Sequence, residues 1–251
     1  MRGFILVVAL VSVGCATHRF ERQRLGTPAA PVADLAIDES TAMVLDAPRL
    51  ELTREYFRIH APGLDLREPF EMQPKVVVVH FTAVPTLAGT LKVFRAKTIS
   101  SGRTLVAANG RLNVGIQFVV DRDGKVYRLF PETAMVRHVI GLNHVAIGIE
   151  NIGSEDISPA QLQGRIGNDG NGLQLTPAQL SANVALIRGL KQRHTGIEWV
   201  IGHQEYRDFE HPRHPGRSRF VEAIAGYRTE KSDPGQRFMA ELRKRLKDPG
   251  R

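Results

Sequence analysis

Four β-branched residues in a row, Val76 to Val79, lead directly into His80. An unbroken apolar run of this length, without polar alternation, predicts a strand buried on both faces. The end of such a strand is where α/β folds commonly build their sites. Pro74 precedes the run, and a polar loop containing Pro85 and Gly89 is predicted to follow it. Val114 to Val120 and Lys125 to Phe130 flank Asp121-Arg122-Asp123-Gly124, which predicts two strands joined by a hairpin turn. Val145 to Glu150 reads as a short strand ending on a carboxylate, and Trp199-Val200-Ile201 as another ending at Gly202-His203.

The helical signals are fewer. Leu52 to Phe57 predicts a short helix with Thr53 as its N-cap and Arg54 and Glu55 on the wet side. Thr176-Pro177-Ala178-Gln179 predicts a helix start: Thr176 can cap, Pro177 suits the first turn and Gln179 completes a capping box. Leu180, Val184, Ile187 and Leu190 then form one apolar stripe, ended by Gly196. Residues 154–175, rich in Gly, Asn, Asp and Ser, read as a long loop. No internal repeat is visible. Strands alternating with helices, plus one hairpin, predict an α/β fold: a single domain with a central mixed β-sheet flanked by helices.

The first residues read as an address. Arg2 is followed by an apolar run from Phe4 to Val13, which is too short to span a bilayer and suits a signal peptide. Gly14-Cys15 comes next, similar to a bacterial lipoprotein signal in which the cysteine carries lipid. Ser12 occupies a position where such signals prefer Leu, and an ordinary secretory signal with an incidental Cys15 is the alternative. The expected organisation is a signal peptide with a lipidated Cys15 over 1–15, a tether over 16–45 that includes Thr27-Pro28-Ala29-Ala30-Pro31, and a folded domain over 46–251. The expected location is the bacterial envelope. Ala16 carries no strong inner-membrane retention signal, so the outer membrane is expected if the host has one.

Composition narrows the chemistry. The 251 residues are 42% hydrophobic, enough for a substantial core. One cysteine excludes an internal disulfide and any Cys-rich metal site, so a metal centre must use His, Asp or Glu. The net charge of +8 and pI near 10 come from Lys and Arg scattered among acidic residues, which reads as a solvated basic surface. Such a surface also suits a polyanionic partner rich in carboxylates. Without a nucleic-acid-binding motif, and with an export signal, no nucleic-acid partner is expected; no protein partner is inferred.

The metal-capable residues at strand and loop ends are His80, Glu150, His203 and Asp233. A lone histidine at a strand end is more often structural, and nothing local links His80 to His203. The surrounding words add the missing context. Val76-Val77-Val78-Val79-His80-Phe81-Thr82-Ala83, Asn143-His144-Val145-Ala146-Ile147-Gly148-Ile149-Glu150-Asn151, Ile201-Gly202-His203-Gln204-Glu205-Tyr206 and Tyr227-Arg228-Thr229-Glu230-Lys231-Ser232-Asp233-Pro234-Gly235 occur in that order. Over about residues 45–245 the chain resembles the zinc-dependent N-acetylmuramoyl-L-alanine amidases, type 2 amidases related in fold to T7 lysozyme and the peptidoglycan recognition proteins.

The resemblance implies zinc ligands at His80, His203 and Asp233, one zinc per domain, a catalytic glutamate at Glu150 and an oxyanion-stabilising Lys231. It implies a substrate of peptidoglycan or its muropeptide fragments, cut between N-acetylmuramic acid and L-alanine. Three departures are visible. Ile116-Gln117-Phe118 stands where many relatives carry a His or Tyr. The gap from His203 to Asp233 is wider than in compact relatives, predicting an insertion near the site that holds His211 and His214, either extra ligands or surface-loop residues. His138 lies in a region that often faces substrate, and a structural histidine is an equal expectation. The competing readings are a non-catalytic peptidoglycan-binding module of the same fold and a zinc peptidase, the latter lacking the His-Glu-x-x-His helix.

Overall fold

The computed structural model describes residues 19–26, 35–153 and 174–247. Cys15 with its signal sequence, and nearly all of the loop expected over 154–175, lie outside the described residues. Among the described residues no helix is long and apolar enough to cross a membrane.

Among the described residues six strands form one mixed sheet: β1 (Ile37–Asp38), β2 (Val76–Phe81), β3 (Phe118–Val120), β4 (Val126–Arg128), β5 (Ala146–Asn151) and β6 (Trp199–Gly202). Their order is β1-β4-β3-β5-β2-β6. Only β3 and β4 run antiparallel, closed by the predicted Asp-Gly turn, where Gly124 supplies the positive φ of 88°. The other pairings are parallel. The Val76–Val79 run is fully buried on both faces, as its lack of alternation predicts. Val77 and Val79 face a core with Ile147, Ile149, Val200 and the helices α4 (Pro177–Arg193) and α5 (Gln236–Lys247). Val76 and Val78 face the other side, with Trp199, Ile201, Tyr206 and Phe209.

The capping box of α4 forms as predicted, and Leu180, Val184, Ile187 and Leu190 are buried. Two helical predictions are corrected. The helix around Leu52 is α1 (Ala47–His60), capped by Asp46, whose carboxylate accepts from Arg49 N. Thr53 sits buried in mid-helix and donates to Arg49 O at 2.9 Å, the usual fate of a threonine inside a helix. The polar stretch after His80 contains α2 (Leu87–Arg95), capped by Thr86, so Gly89 is helical rather than in a loop. A short α3 (Thr104–Ala108) follows.

Part of the segment expected as a tether is docked. Phe20 is 4% exposed and packs on His214 at 4.7 Å, while Leu25 N donates to Glu198 O at 2.8 Å beside the β6 edge. Further along, β1 pairs with β4 and covers the opposite sheet edge. Both edges are blunted by pieces of one N-terminal segment.

Candidate active site

The parallel register brings the site together. His80 on β2 lies beside Glu150 on β5, and Val79 beside Gly202 at the end of β6, one residue before His203. Three chemical groups therefore project from the C-terminal ends of three adjacent parallel strands. Asn151 Nδ2 donates to His80 O at 3.1 Å and fixes the strand end.

Asp233 arrives from a distant loop that is stitched to the 3₁₀ turn His203–Glu210. Tyr206 Oη donates to Thr229 O at 3.0 Å and accepts from Thr229 N at 2.9 Å. Gln204 N donates to Asp233 O at 3.0 Å, and Gly235 N to Gln204 Oε1 at 3.1 Å. Gly202 leaves room for this loop, since a Cβ there would stand 2.9 Å from Pro234 Cδ.

The result is a triangle of His80 Nδ1, His203 Nδ1 and Asp233 Oδ2, with edges of 3.0, 3.1 and 3.0 Å. The three side chains are buried, at 3, 6 and 7% exposure. Among the described residues they form the one group whose donor atoms converge in this way. A carboxylate oxygen brings no proton, so three mutual contacts of this length are poorly served by hydrogen bonds and well served by a shared cation. Two imidazole nitrogens and one carboxylate oxygen, facing an open cleft, fit a catalytic zinc, which takes three protein ligands and leaves one position free.

Burial pushes His203 down to about 4, against the opposing pull of Asp233, so its imidazole is neutral and available as a ligand at neutral pH. Burial would raise the Asp233 carboxyl, but the His203 and His80 imidazoles outweigh it and hold the group well below the usual carboxylate range.

The triangle opens on a cleft of about 510 Å³ whose lining includes Glu150, Lys231, His138 and Arg103. Burial raises the Glu150 carboxyl to about 7, with Asp233 adding to the rise and His80, Lys231 and Arg103 opposing it. Among the described residues neither Glu150 nor Lys231 has a side-chain hydrogen bond or ion pair, so neither is spent on structure.

The remaining histidines separate cleanly. His214 is 3% exposed and packs among Phe209, Trp199 and Phe20, away from the triangle. It is neither a ligand nor a surface residue. His211 is exposed, and its Nδ1 accepts from Arg213 N. His138 Nδ1 lies 3.1 Å from His80 Nε2, in direct contact with the cluster. Gln117, just before β3 in the Ile116-Gln117-Phe118 stretch, is fully buried and braces the sheet by donating to Ala134 O and accepting from Gly148 N. The cleft wall formed by α2, α3 and Arg103 had no signal in the sequence, because it is assembled by packing rather than by a motif.

The sequence profile of the family described as N-acetylmuramoyl-L-alanine amidase matches residues 70–236. The chain belongs to the N-acetylmuramoyl-L-alanine amidase family. The matched span runs from before β2 to the start of α5 and contains the three triangle residues, Glu150 and Lys231.

No curated protein sequence matches the chain significantly. Among solved structures, the endolysin N-acetylmuramoyl-L-alanine amidase LysCS from Clostridium intestinale URNW is 23% identical with a TM-score of 0.37, covering 57% of this chain and 77% of its own. A selenomethionine derivative of AmpD is 20% identical with a TM-score of 0.47, covering 84% and 99%. AmpDh3 from Pseudomonas aeruginosa, in complex with an anhydromuramic pentapeptide, is 17% identical with a TM-score of 0.40, covering 72% and 64%. As an amidase of this family, the chain hydrolyses the bond between N-acetylmuramic acid and L-alanine.

Proposed function

We propose that this amidase is zinc-dependent, that His80, His203 and Asp233 hold the ion, and that Glu150 and Lys231 carry the chemistry. The observation that carries this reading is the convergence of His80 Nδ1, His203 Nδ1 and Asp233 Oδ2 beside an unpaired, partly buried Glu150. When bound, zinc supplies a Lewis acid for the scissile carbonyl and makes a water more acidic.

Glu150 takes a proton from the attacking water and returns it to the departing nitrogen of L-alanine. The new C–O bond forms first and moves charge onto the carbonyl oxygen; the C–N bond then breaks as the C=O re-forms, leaving a lactyl carboxylate on muramic acid and a free amine on the stem peptide. The Lys231 ammonium faces the negative charge that builds on the carbonyl oxygen. The substrate we propose is a muropeptide, either free or within peptidoglycan.

The test measures zinc content and cleavage products of a defined muramoyl peptide on the same samples. His80→Ala and Asp233→Ala are expected to lose metal and amide cleavage together. Full cleavage by metal-free protein would overturn the zinc reading and leave the family assignment standing.

We further propose that Cys15 is lipidated and holds the enzyme at the envelope membrane. The Gly14-Cys15 pair after an apolar run supports this. The docked 19–26 segment shortens the leash: from Cys15 to Arg19 an extended chain reaches about 14 Å, so the catalytic domain stays close to the lipid surface.

A further inference from the structure

His80 contacts the triangle through Nδ1, and its other ring nitrogen faces His138. His80 Nε2 lies 3.1 Å from His138 Nδ1, and His138 Nε2 lies 3.1 Å from Ala146 O. A carbonyl oxygen only accepts, so His138 Nε2 carries a hydrogen and donates it there. In a neutral ring that leaves Nδ1 as the acceptor. The proton between the two rings then belongs to His80 Nε2, which leaves Nδ1, the nitrogen facing His203 Nδ1 and Asp233 Oδ2, as the one a metal can take.

The fold invests in this placement. Asn143 Oδ1 accepts from both His138 N and Val139 N, each at 2.8 Å, and its Nδ2 donates to Tyr56 Oη at 2.8 Å. The ring of His138 occupies space vacated by Gly148 on β5, where an added Cβ would stand 2.9 Å from His138 Nδ1 and 2.2 Å from Ile116 Cδ1. Backbone anchor, carbonyl partner and absent side chain all serve one ring orientation.

We infer that His138 is a positioning residue that keeps a hydrogen on His80 Nε2 through the relay Ala146 O–His138–His80, so that Nδ1 is the nitrogen His80 offers to the metal. The inference deepens the zinc reading and rests on it for the consequence, while the hydrogen on Nε2 is a property of the metal-free chain.

Two measurements on the full chain test it. In metal-free protein labelled with ¹⁵N, long-range ¹H–¹⁵N spectra should show His80 protonated at Nε2. A His80 that is bare at Nε2 would overturn the inference whatever the metal does. Zinc affinity is then measured by chelator competition. His138→Leu removes the acceptor and should weaken zinc binding about 10–100-fold, the usual effect of losing a ligand's hydrogen-bond partner. His138→Asn keeps an acceptor near the same place and should recover most of that loss. If both variants bind zinc as tightly as the parent, His138 does not position His80. A Leu variant too unstable to purify leaves the Asn variant and the parent spectrum to decide. Failure of the parent to bind zinc at all would sink the metal reading separately.

Discussion

Glu150 shows how one residue's setting sets its chemistry. Carboxylates at strand ends are ordinarily paired, yet this one is partly buried, unpaired and raised to about 7. A base must be ionised to act, so kcat/KM should rise with pH and level off at a midpoint no higher than about 7, since a bound dication pulls the carboxyl downward. Glu150→Gln keeps the shape and removes the titrating group. It should retain zinc, lower turnover by about 10²–10⁴-fold and abolish this inflection. A Gln variant with near-normal turnover and intact zinc would remove Glu150 from the mechanism. Lys231→Met should lower turnover with less effect on metal content, because the ammonium acts on charge that develops only in the transition state. Equal loss of metal and turnover would instead make Lys231 part of the metal site.

At the scale of elements, the predictable parts are those whose signals are local. The α4 capping box, with Thr176 Oγ1 accepting from Gln179 N and Gln179 Oε1 from Thr176 N, is written in four consecutive residues. Thr176 Oγ1 also donates to Arg122 O at 2.7 Å, tying the helix start to the β3–β4 turn. Thr176→Ala should therefore cost about 1–2 kcal/mol, the upper part of the range for a lost cap, read as a lower denaturant midpoint with an unchanged slope. A change of a few tenths of a kcal/mol or less would show the cap to be redundant with the packing of α4. The misplaced cap of α1 has the opposite cause. Thr53 satisfies the N-cap rule, but Asp46 caps the chain two turns earlier with Pro48 in the first turn, and Arg49, Leu52 and Thr53 itself are buried along the helix. Tertiary burial outweighs a cap worth about 1 kcal/mol.

For the whole molecule, the N-terminal segment changes how the domain is held. Phe20 sits between His211 and His214, and Gln23 Nε2 and Arg19 Nε both donate to Asp208. Phe20→Ala should destabilise the domain by about 3–5 kcal/mol if the segment folds as part of the core, measured by denaturant unfolding of the full chain. A loss near zero would return the segment to the status of a tether. Cys15→Ser should move the protein out of the membrane fraction; an unchanged membrane fraction would count against lipid anchoring.

The sequence by itself determined which segments are strands buried on both faces, where α4 begins, and which residue types stand at the strand ends. It did so because apolar periodicity, capping and turn chemistry act over a few residues. The triangle of His80, His203 and Asp233 required more. His80, His203 and Asp233 become neighbours only because β2 lies between β5 and β6 in parallel register and because Tyr206, Gln204 and Thr229 stitch the Asp233 loop to the turn after β6. Orientation is likewise a tertiary fact: a histidine at position 138 has no direction in the sequence. Its ring faces His80 because Gly148 is vacant beneath it and Ala146 O accepts its proton. Local physics fixes what a segment can form, and the choice of which lone pair meets which neighbour belongs to the packed interior.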